Sequence, residues 1–333
     1  MPKEKKIVKK FAEPSQIDKN TPGLQREQWL EGVAVGFRDN MLVLNKLLPE
    51  MDVRFDSAKY RIYSPKGYFK AATPRAETAL AEQAALQYSY DTYTTEEYAL
   101  EGWVSDDARR NASDDLSPLM DETEFLTSKI NLTQELLIAA EVFSAIKSAG
   151  SSYYTSLGAT TNWLSGASAN ILSDLSTAIK AIVKNTGMRP NETFMNTDTY
   201  EAVINNSTVQ DILKRASTGV LTEALPVPRL RGMAINMADA VVNIGSQESP
   251  TYKSVIYDLD SVTPLKQVCI VASVTTNRLT AGRTFVSKPF NVFTGRGLEG
   301  DRRESTLVRT RKKMIPKVQN AGALYVIGNV LGS

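Results

Sequence analysis

Apolar and polar side chains alternate in Val53-Arg54-Phe55 and Tyr60-Arg61-Ile62, and again in Leu86-Gln87-Tyr88-Ser89-Tyr90. This is the period of an extended strand with two unlike faces. Between the runs lie Pro65, Gly67 and Pro74 and the alanine-rich stretch Ala71 to Ala85, which interrupt regular pairing and offer little bulk for a separate core. The pattern predicts a two-stranded arm. An isolated ribbon of this length is marginal in water and needs a surface to lie on, and a neighbouring subunit is one natural candidate.

A three-and-four spacing of Trp29, Val33, Phe37, Met41, Leu44 and Leu48 predicts one amphipathic helix from about Gln25 to Leu48, ending before Pro49. A longer helix is expected after the arm. Ser117 suits its N-cap, Pro118 its first turn, and Asp121, Glu122 and Glu124 complement the positive end of its dipole. Leu132, Leu136, Ala139, Phe143 and Ile146 carry one face on to about Ala149, a span of roughly 45 Å at the helical rise. Such an element can serve as the spine of a domain or as an ordinary core helix. Gly150 to Gly166 reads as a loop.

Beyond it helical and strand signals mix. Leu172, Leu175, Ile179 and Ile182 predict a helix closed by Gly187, Thr193 to Met195 a short strand, and Thr197 the cap of a helix holding Tyr200 and Val203. Val241–Ile244, Ser254–Leu259 and Gln267–Val274 read as strands of one sheet. Helices followed by consecutive strands favour an α+β domain over a doubly wound parallel sheet. Strand patterns return at Arg283–Val286, Leu307–Arg311 and Ala323–Leu331. This tail is expected to pack on the spine helix, making a second domain from two separated stretches.

Composition narrows the chemistry. The chain has 333 residues, 42% hydrophobic and 23% charged, enough for one large core or two modest ones. It contains no histidine, which removes histidine-based triads, histidine zinc sites and the commonest general base near neutral pH, while lysine- or carboxylate-dependent chemistry survives. No cofactor or metal is implied. The one cysteine, Cys269, lies in the apolar run Val268-Cys269-Ile270-Val271 and reads as a buried small hydrophobe. No apolar run is long enough to span a bilayer, and Met1-Pro2-Lys3-Glu4-Lys5-Lys6 lacks the features of a secretory signal; synthesis in the cytosol, with no membrane partner, is expected.

The net charge of +2 conceals segregation. Asp91 to Glu124 holds eleven acidic residues against Arg109 and Arg110, a balance of −9, and Arg296 to Lys317 holds eight basic against three acidic, a balance of +5. Two readings stand: solvated faces, or complementary patches steering copies of the chain into register. The first ten residues carry Lys3, Lys5, Lys6, Lys9 and Lys10 against Glu4 and read as a basic tail. That tail and the run Arg309-Thr310-Arg311-Lys312-Lys313 suit phosphates without sequence readout, or a solvated or subunit-pairing face. The formal G-x-G-x-x-G at Gly295, Gly297 and Gly300 lacks a βαβ context and reads as a flexible turn.

In order, a basic arm, a Pro- and Gly-broken extended loop, a spine helix, an α+β insertion and a returning β tail resemble the major capsid proteins of tailed bacteriophages, with the Hong Kong ninety-seven coat fold. Leu47-Leu48-Pro49 before the loop, Trp103-Val104-Ser105-Asp106-Asp107-Ala108-Arg109-Arg110-Asn111 at its exit and Thr186-Gly187-Met188-Arg189-Pro190-Asn191 carry the resemblance, joined by Tyr200 and Ile212-Leu213-Lys214. The fold class it implies is α+β, with an N-terminal arm and helix at 1–50 and an extended β-hairpin loop at 51–104. A discontinuous peripheral domain at 105–164 and 275–333 and an axial domain at 165–274 complete it.

The resemblance implies a non-enzymatic shell protein of hexamers and pentamers in a virion capsid, assembled in the host cytoplasm around double-stranded DNA. Scaffolding, portal and possible decoration proteins are the implied partners. The short stretch before the loop implies a separate scaffold rather than a fused one. One branch of the family joins subunits covalently through a loop lysine; Lys59, Lys66 and Lys70 lie in the corresponding loop, with no catalytic residue matched. Arg302 and Arg303 would lie near contacts between capsomers, and the lysines of the tail inside the shell. An encapsulin-like nanocompartment shell is the nearest alternative, and a lysine- or carboxylate-dependent enzyme the alternative of another class.

Overall fold

The computed structural model describes residues 24–332 apart from 38–41, 66–70, 76, 78–79, 81–82, 84–85, 113–116, 166–168, 217–228, 247–248, 259–264 and 275–278. The chain forms two compact units. The larger comprises residues 39–96, 132–287 and 314–333, and the smaller 1–38, 97–131 and 288–313. The helix Pro118–Ala149 and the long strands Gly282–Gly295 and Ser305–Val318 give residues to both.

A six-stranded mixed sheet organises the larger unit. Its order is Tyr154–Ser156, Leu324–Gly328, Cys269–Ala272, Glu192–Met195, Met233–Met237 and Arg229–Leu230. The central strands are buried on both faces, and successive side chains alternate between two cores. Ile270, Ala272, Leu324, Val326 and Phe194 meet Ile138, Val142 and Ile146 of the spine helix. Cys269, Val271, Tyr325, Ile327 and Met195 meet Leu175, Ala178 and Ile182 of the helix Ile171–Thr186. The sheet is thus the middle layer of three. Gly187, at φ 68°, closes that helix in the left-handed region as the sequence predicts.

The spine helix runs from Pro118 to Ala149, 32 residues and about 48 Å. Its buried Glu135, 1% exposed, accepts the backbone N–H groups of Leu44 at 2.8 Å and Asn45 at 3.2 Å. The neighbouring Gln134 Nε2 donates to Asn45 Oδ1 at 2.6 Å and Glu50 Oε1 at 2.9 Å. These bonds fasten the segment that leads into the arm. They also help explain why the single helix expected over Gln25 to Leu48 does not form. Leu24–Arg26 is instead a strand paired with Phe293–Gly295, Gln28–Gly36 is a helix, and Leu44–Lys46 is one 3-10 turn whose first amides Glu135 satisfies.

Three further expectations change. Val241–Asn243 pairs with Tyr252–Ser254, and Tyr257–Asp258 with Lys266–Gln267, as two separate ribbons outside the main sheet. The last strand, Leu324–Gly328, pairs with Cys269–Ala272, so the tail ends in the sheet of the middle region as well as against the spine helix. Asn196, not Thr197, caps the helix Thr197–Asn205, its side chain accepting the Thr199 N–H.

In the smaller unit, the strands follow the order Leu24–Arg26, Gly282–Gly295, Ser305–Val318 and Glu96–Ser105 within their shared sheet. Ser105 caps the short helix Asp106–Asn111. The glycine motif opens the helix Gly297–Arg303 instead of a flexible turn. A Cβ on Gly300 would lie 2.7 Å from the Ser305 carbonyl, so close backbone approach, not phosphate binding, accounts for that glycine.

Candidate assembly surfaces

The arm forms as an antiparallel hairpin of Ser57–Tyr63 and Tyr88–Thr94, in full register from Ser57 opposite Thr94 to Tyr63 opposite Tyr88. Because directly opposed residues share a face, the register sorts the ribbon into two surfaces. Ala58, Tyr60, Ile62 and Tyr93 face inward onto Phe285, with Met51, Val53 and Ile315 around them. The Tyr93 and Phe285 rings stack at 4.4 Å and Tyr60 tilts against Phe285 at 5.1 Å. Tyr60 Oη donates to Asp91 Oδ2 at 2.9 Å.

Burial, with help from Asp91, raises the Tyr60 phenol above its ordinary pKa. The Thr92 N–H, with help from Tyr60, holds the Asp91 carboxyl below its own. The root of the arm is therefore bound into its own subunit.

The opposite surface carries Lys59, Arg61, Tyr88 and Tyr90. The last two are 44% and 56% exposed, and the Arg61 guanidinium lies 5.0 Å from the Tyr88 ring centroid and 5.8 Å from that of Tyr90. Three cation and ring planes in contact on one exposed face make a cationic, aromatic strip. Lys59 lies on this face opposite Thr92. Lys66 and Lys70, expected in the same loop, and Lys3, Lys5, Lys6, Lys9 and Lys10 of the tail fall outside the described residues. Arg61, Tyr88 and Tyr90 were not singled out from sequence. Their signal was present in the alternation, but choosing the exposed parity required knowing that Phe285 receives the other one.

The segregated charge is largely resolved inside the chain. Arg309 Nε donates to Glu101 at 2.6 Å, Arg311 and Lys313 each lie 3.7 Å from Glu97, and Arg296 pairs with Asp106. Lys312 is buried beneath the strand, 4.6 Å from the Phe290 ring centroid, and Arg311 stacks on Phe293 at 4.5 Å. The Arg309–Lys313 run, expected as a solvated, subunit-pairing or phosphate-touching face, is thus paired within its own subunit. The acidic and basic segments meet as strands of one sheet. Arg302 is exposed on the helix Gly297–Arg303, and Arg303 packs over Trp103 at 5.2 Å.

Elsewhere, Trp29 is 51% exposed although sequence periodicity placed it inward, because Leu30 and Ala34 are the buried positions of that helix. A groove of about 490 Å3 lies along the spine helix at Leu136, Ala139, Phe143 and Lys147. Its lysine is held by Asp258 at 2.6 Å. Burial pushes the Cys269 thiol up, as a small core side chain requires. Among the described residues no group of three His, Cys, Asp or Glu side chains is placed to hold a metal, and no helix is long and apolar enough to cross a membrane.

No protein-family model and no curated protein matches the chain. Solved structures do. A phage-related protein from Bordetella bronchiseptica RB50 matches at a TM-score of 0.70 and 17% identity, covering 92% of this chain and 97% of that one. The capsid structure of the cyanophage P-SCSP1u matches at 0.57 and 11% identity, covering 86% and 88%. A virus-like particle from Pyrococcus furiosus matches at 0.51 and 14% identity, covering 91% and 96%. Coverage of 86% or more of each chain means that the likeness extends over the fold as a whole rather than over a shared motif. The chain has the α+β fold of phage capsid subunits.

Proposed function

We propose that this protein is the major capsid protein of a tailed phage, closing in many copies into an icosahedral shell around double-stranded DNA. The observation that carries the reading is the match of nearly the whole chain to capsid structures, and the hairpin arm with an exposed cationic, aromatic face supports it. In this reading 51–104 is the extended loop lying over an adjacent subunit. Residues 105–164 with 275–333 form the peripheral domain, and 165–274 is the axial domain of hexamers and pentamers. Lys59, Lys66, Lys70, Arg302 and Arg303 are the candidate intersubunit contacts. The lysines of the tail face the interior, where they meet scaffold or DNA phosphates. A scaffolding protein, a portal and a decoration protein complete the partners, and the shell assembles in the host cytoplasm. The role is structural and calls for no cofactor.

Electron microscopy of the purified protein tests this. Closed icosahedral particles are expected, and a monodisperse small oligomer under all assembly conditions overturns the reading. The likeness to a virus-like particle supports a second reading, a nanocompartment shell. Particles isolated from the native source that enclose a cargo enzyme instead of DNA would favour it.

A further inference from the structure

Three arginines gather where the strands Glu192–Met195 and Met233–Met237 begin side by side, near one edge of the central sheet. Arg229 lies on the edge strand Arg229–Leu230, opposite Ala234, and Arg231 forms with Gly232 the two-residue turn into Met233–Met237. Arg189 comes from the other side, between the helix cap Gly187 and the buried Pro190. Its Nη2 donates to the Arg231 carbonyl at 3.3 Å. The frame beneath is fixed, since the Ala234 N–H donates to the Asn191 carbonyl at 2.8 Å and the Asn191 N–H to the Ala272 carbonyl at 3.1 Å. All three arginines are exposed, and among the described residues none is in an ion pair. The carboxylate next in register, Glu192, instead accepts from Asn236 Nδ2 at 2.6 Å.

The turn is built against its own preference. Both of its central residues have positive φ, 52° at Arg231 and 86° at Gly232, a conformation for which Asn-Gly is the favoured pair. Arginine there carries a steric cost, and among the described residues its side chain makes no hydrogen bond or ion pair that would offset it. Such positions collect at binding sites. We propose that Arg189, Arg229 and Arg231 form a phosphoanion site. Guanidinium forks match phosphate oxygens two at a time, and a rigid backbone frame presents them without loss of order on binding. The ligand is a multiply charged phosphate, either a stretch of nucleic-acid backbone or a free polyphosphate. This goes beyond the shell reading, which gives phosphates to the tail lysines, and does not depend on it.

Isothermal titration calorimetry of the full chain tests the site, with Lys3, Lys5, Lys6, Lys9 and Lys10 changed to Gln so that the tail supplies none of the signal. The probes are inorganic tripolyphosphate and a short DNA duplex, each titrated at moderate salt. Saturable binding of at least one is expected. A response to tripolyphosphate alone identifies a free polyphosphate as the source, and a response to the duplex identifies a nucleic-acid backbone; binding of neither overturns the site. Arg231→Asn should weaken the binding about fivefold or more. The same variant should raise the melting temperature by about 1 to 2 °C, because Asn tolerates the turn better. Arg189→Gln with Arg229→Gln should weaken binding about tenfold or more with an unchanged melting profile. Undiminished affinity in Arg231→Asn or in the double variant would overturn the proposal and leave the shell reading standing.

Discussion

A Cβ added at Gly282 would lie 2.3 Å from the Lys317 carbonyl oxygen, 2.8 Å from Leu48 Cδ2 and 2.9 Å from Val318 Cα. Two of those three atoms are backbone and cannot swing away, so relief requires strands to separate. Gly282→Ala is expected to destabilise the protein by about 2 to 3 kcal/mol, read as a lower denaturation midpoint at unchanged denaturant slope. A variant within about 0.5 kcal/mol of the natural protein would show that the strands have room. Glu135 makes the complementary point. A charged side chain in the middle of a long helix usually reads as solvated, yet here it is buried because two backbone N–H groups some ninety residues earlier need acceptors. No local pattern announces such a partner. The sequence did announce the cap at Gly187 and the helix start at Pro118, because helix ends are decided within a few residues.

At the scale of elements, the arm is a ribbon with a fixed root and an open outer face. The root should be sensitive to pH in a definite direction. Tyr60 has its phenol pKa raised in the folded state, so the stability it contributes is complete below its ordinary value near 10 and is lost as pH rises from there toward the folded value. The opposite holds for Asp91, whose pKa is lowered. Its contribution is complete above the ordinary carboxylate value near 4 and fades as pH falls below it, and it is smaller because that carboxylate is largely solvated. The expected outcome is a root intact across the neutral range that opens from about pH 10 upward. Limited proteolysis within Ser57–Thr94 against pH measures it. Cleavage that rises equally in Tyr60→Phe and in the natural protein would rule out the phenol as the trigger. The separate ribbons at Val241–Ser254 and Tyr257–Gln267 show why element existence was easier to read than element partnership. Each strand carries its own periodicity, but which edges pair depends on chain geometry beyond the strand.

At the scale of the whole molecule, the arm should matter more to assembly than to folding. Its inward face joins a small cluster at the root, whereas the two large cores lie against the central sheet without it. Removing Lys66 to Ala81 and joining the ends with a short turn should leave a folded, soluble subunit that forms no stable shells, by circular dichroism and electron microscopy. Normal particles from that deletion would contradict an intersubunit role for the arm.

The hairpin, the spine helix, the α+β class and the absence of histidine chemistry are legible in the order of residues alone. These follow from periodicity, capping residues and composition, which act over one to a few turns of chain. Long-range packing alone settles that the acidic and basic segments pair within the subunit, that the tail strand enters the central sheet between Tyr154–Ser156 and Cys269–Ala272, and that Lys59, Arg61, Tyr88 and Tyr90 face outward. Each of those depends on which distant residues share a surface. The energy of a charge or an aromatic ring depends on that neighbourhood and not on its place in the sequence.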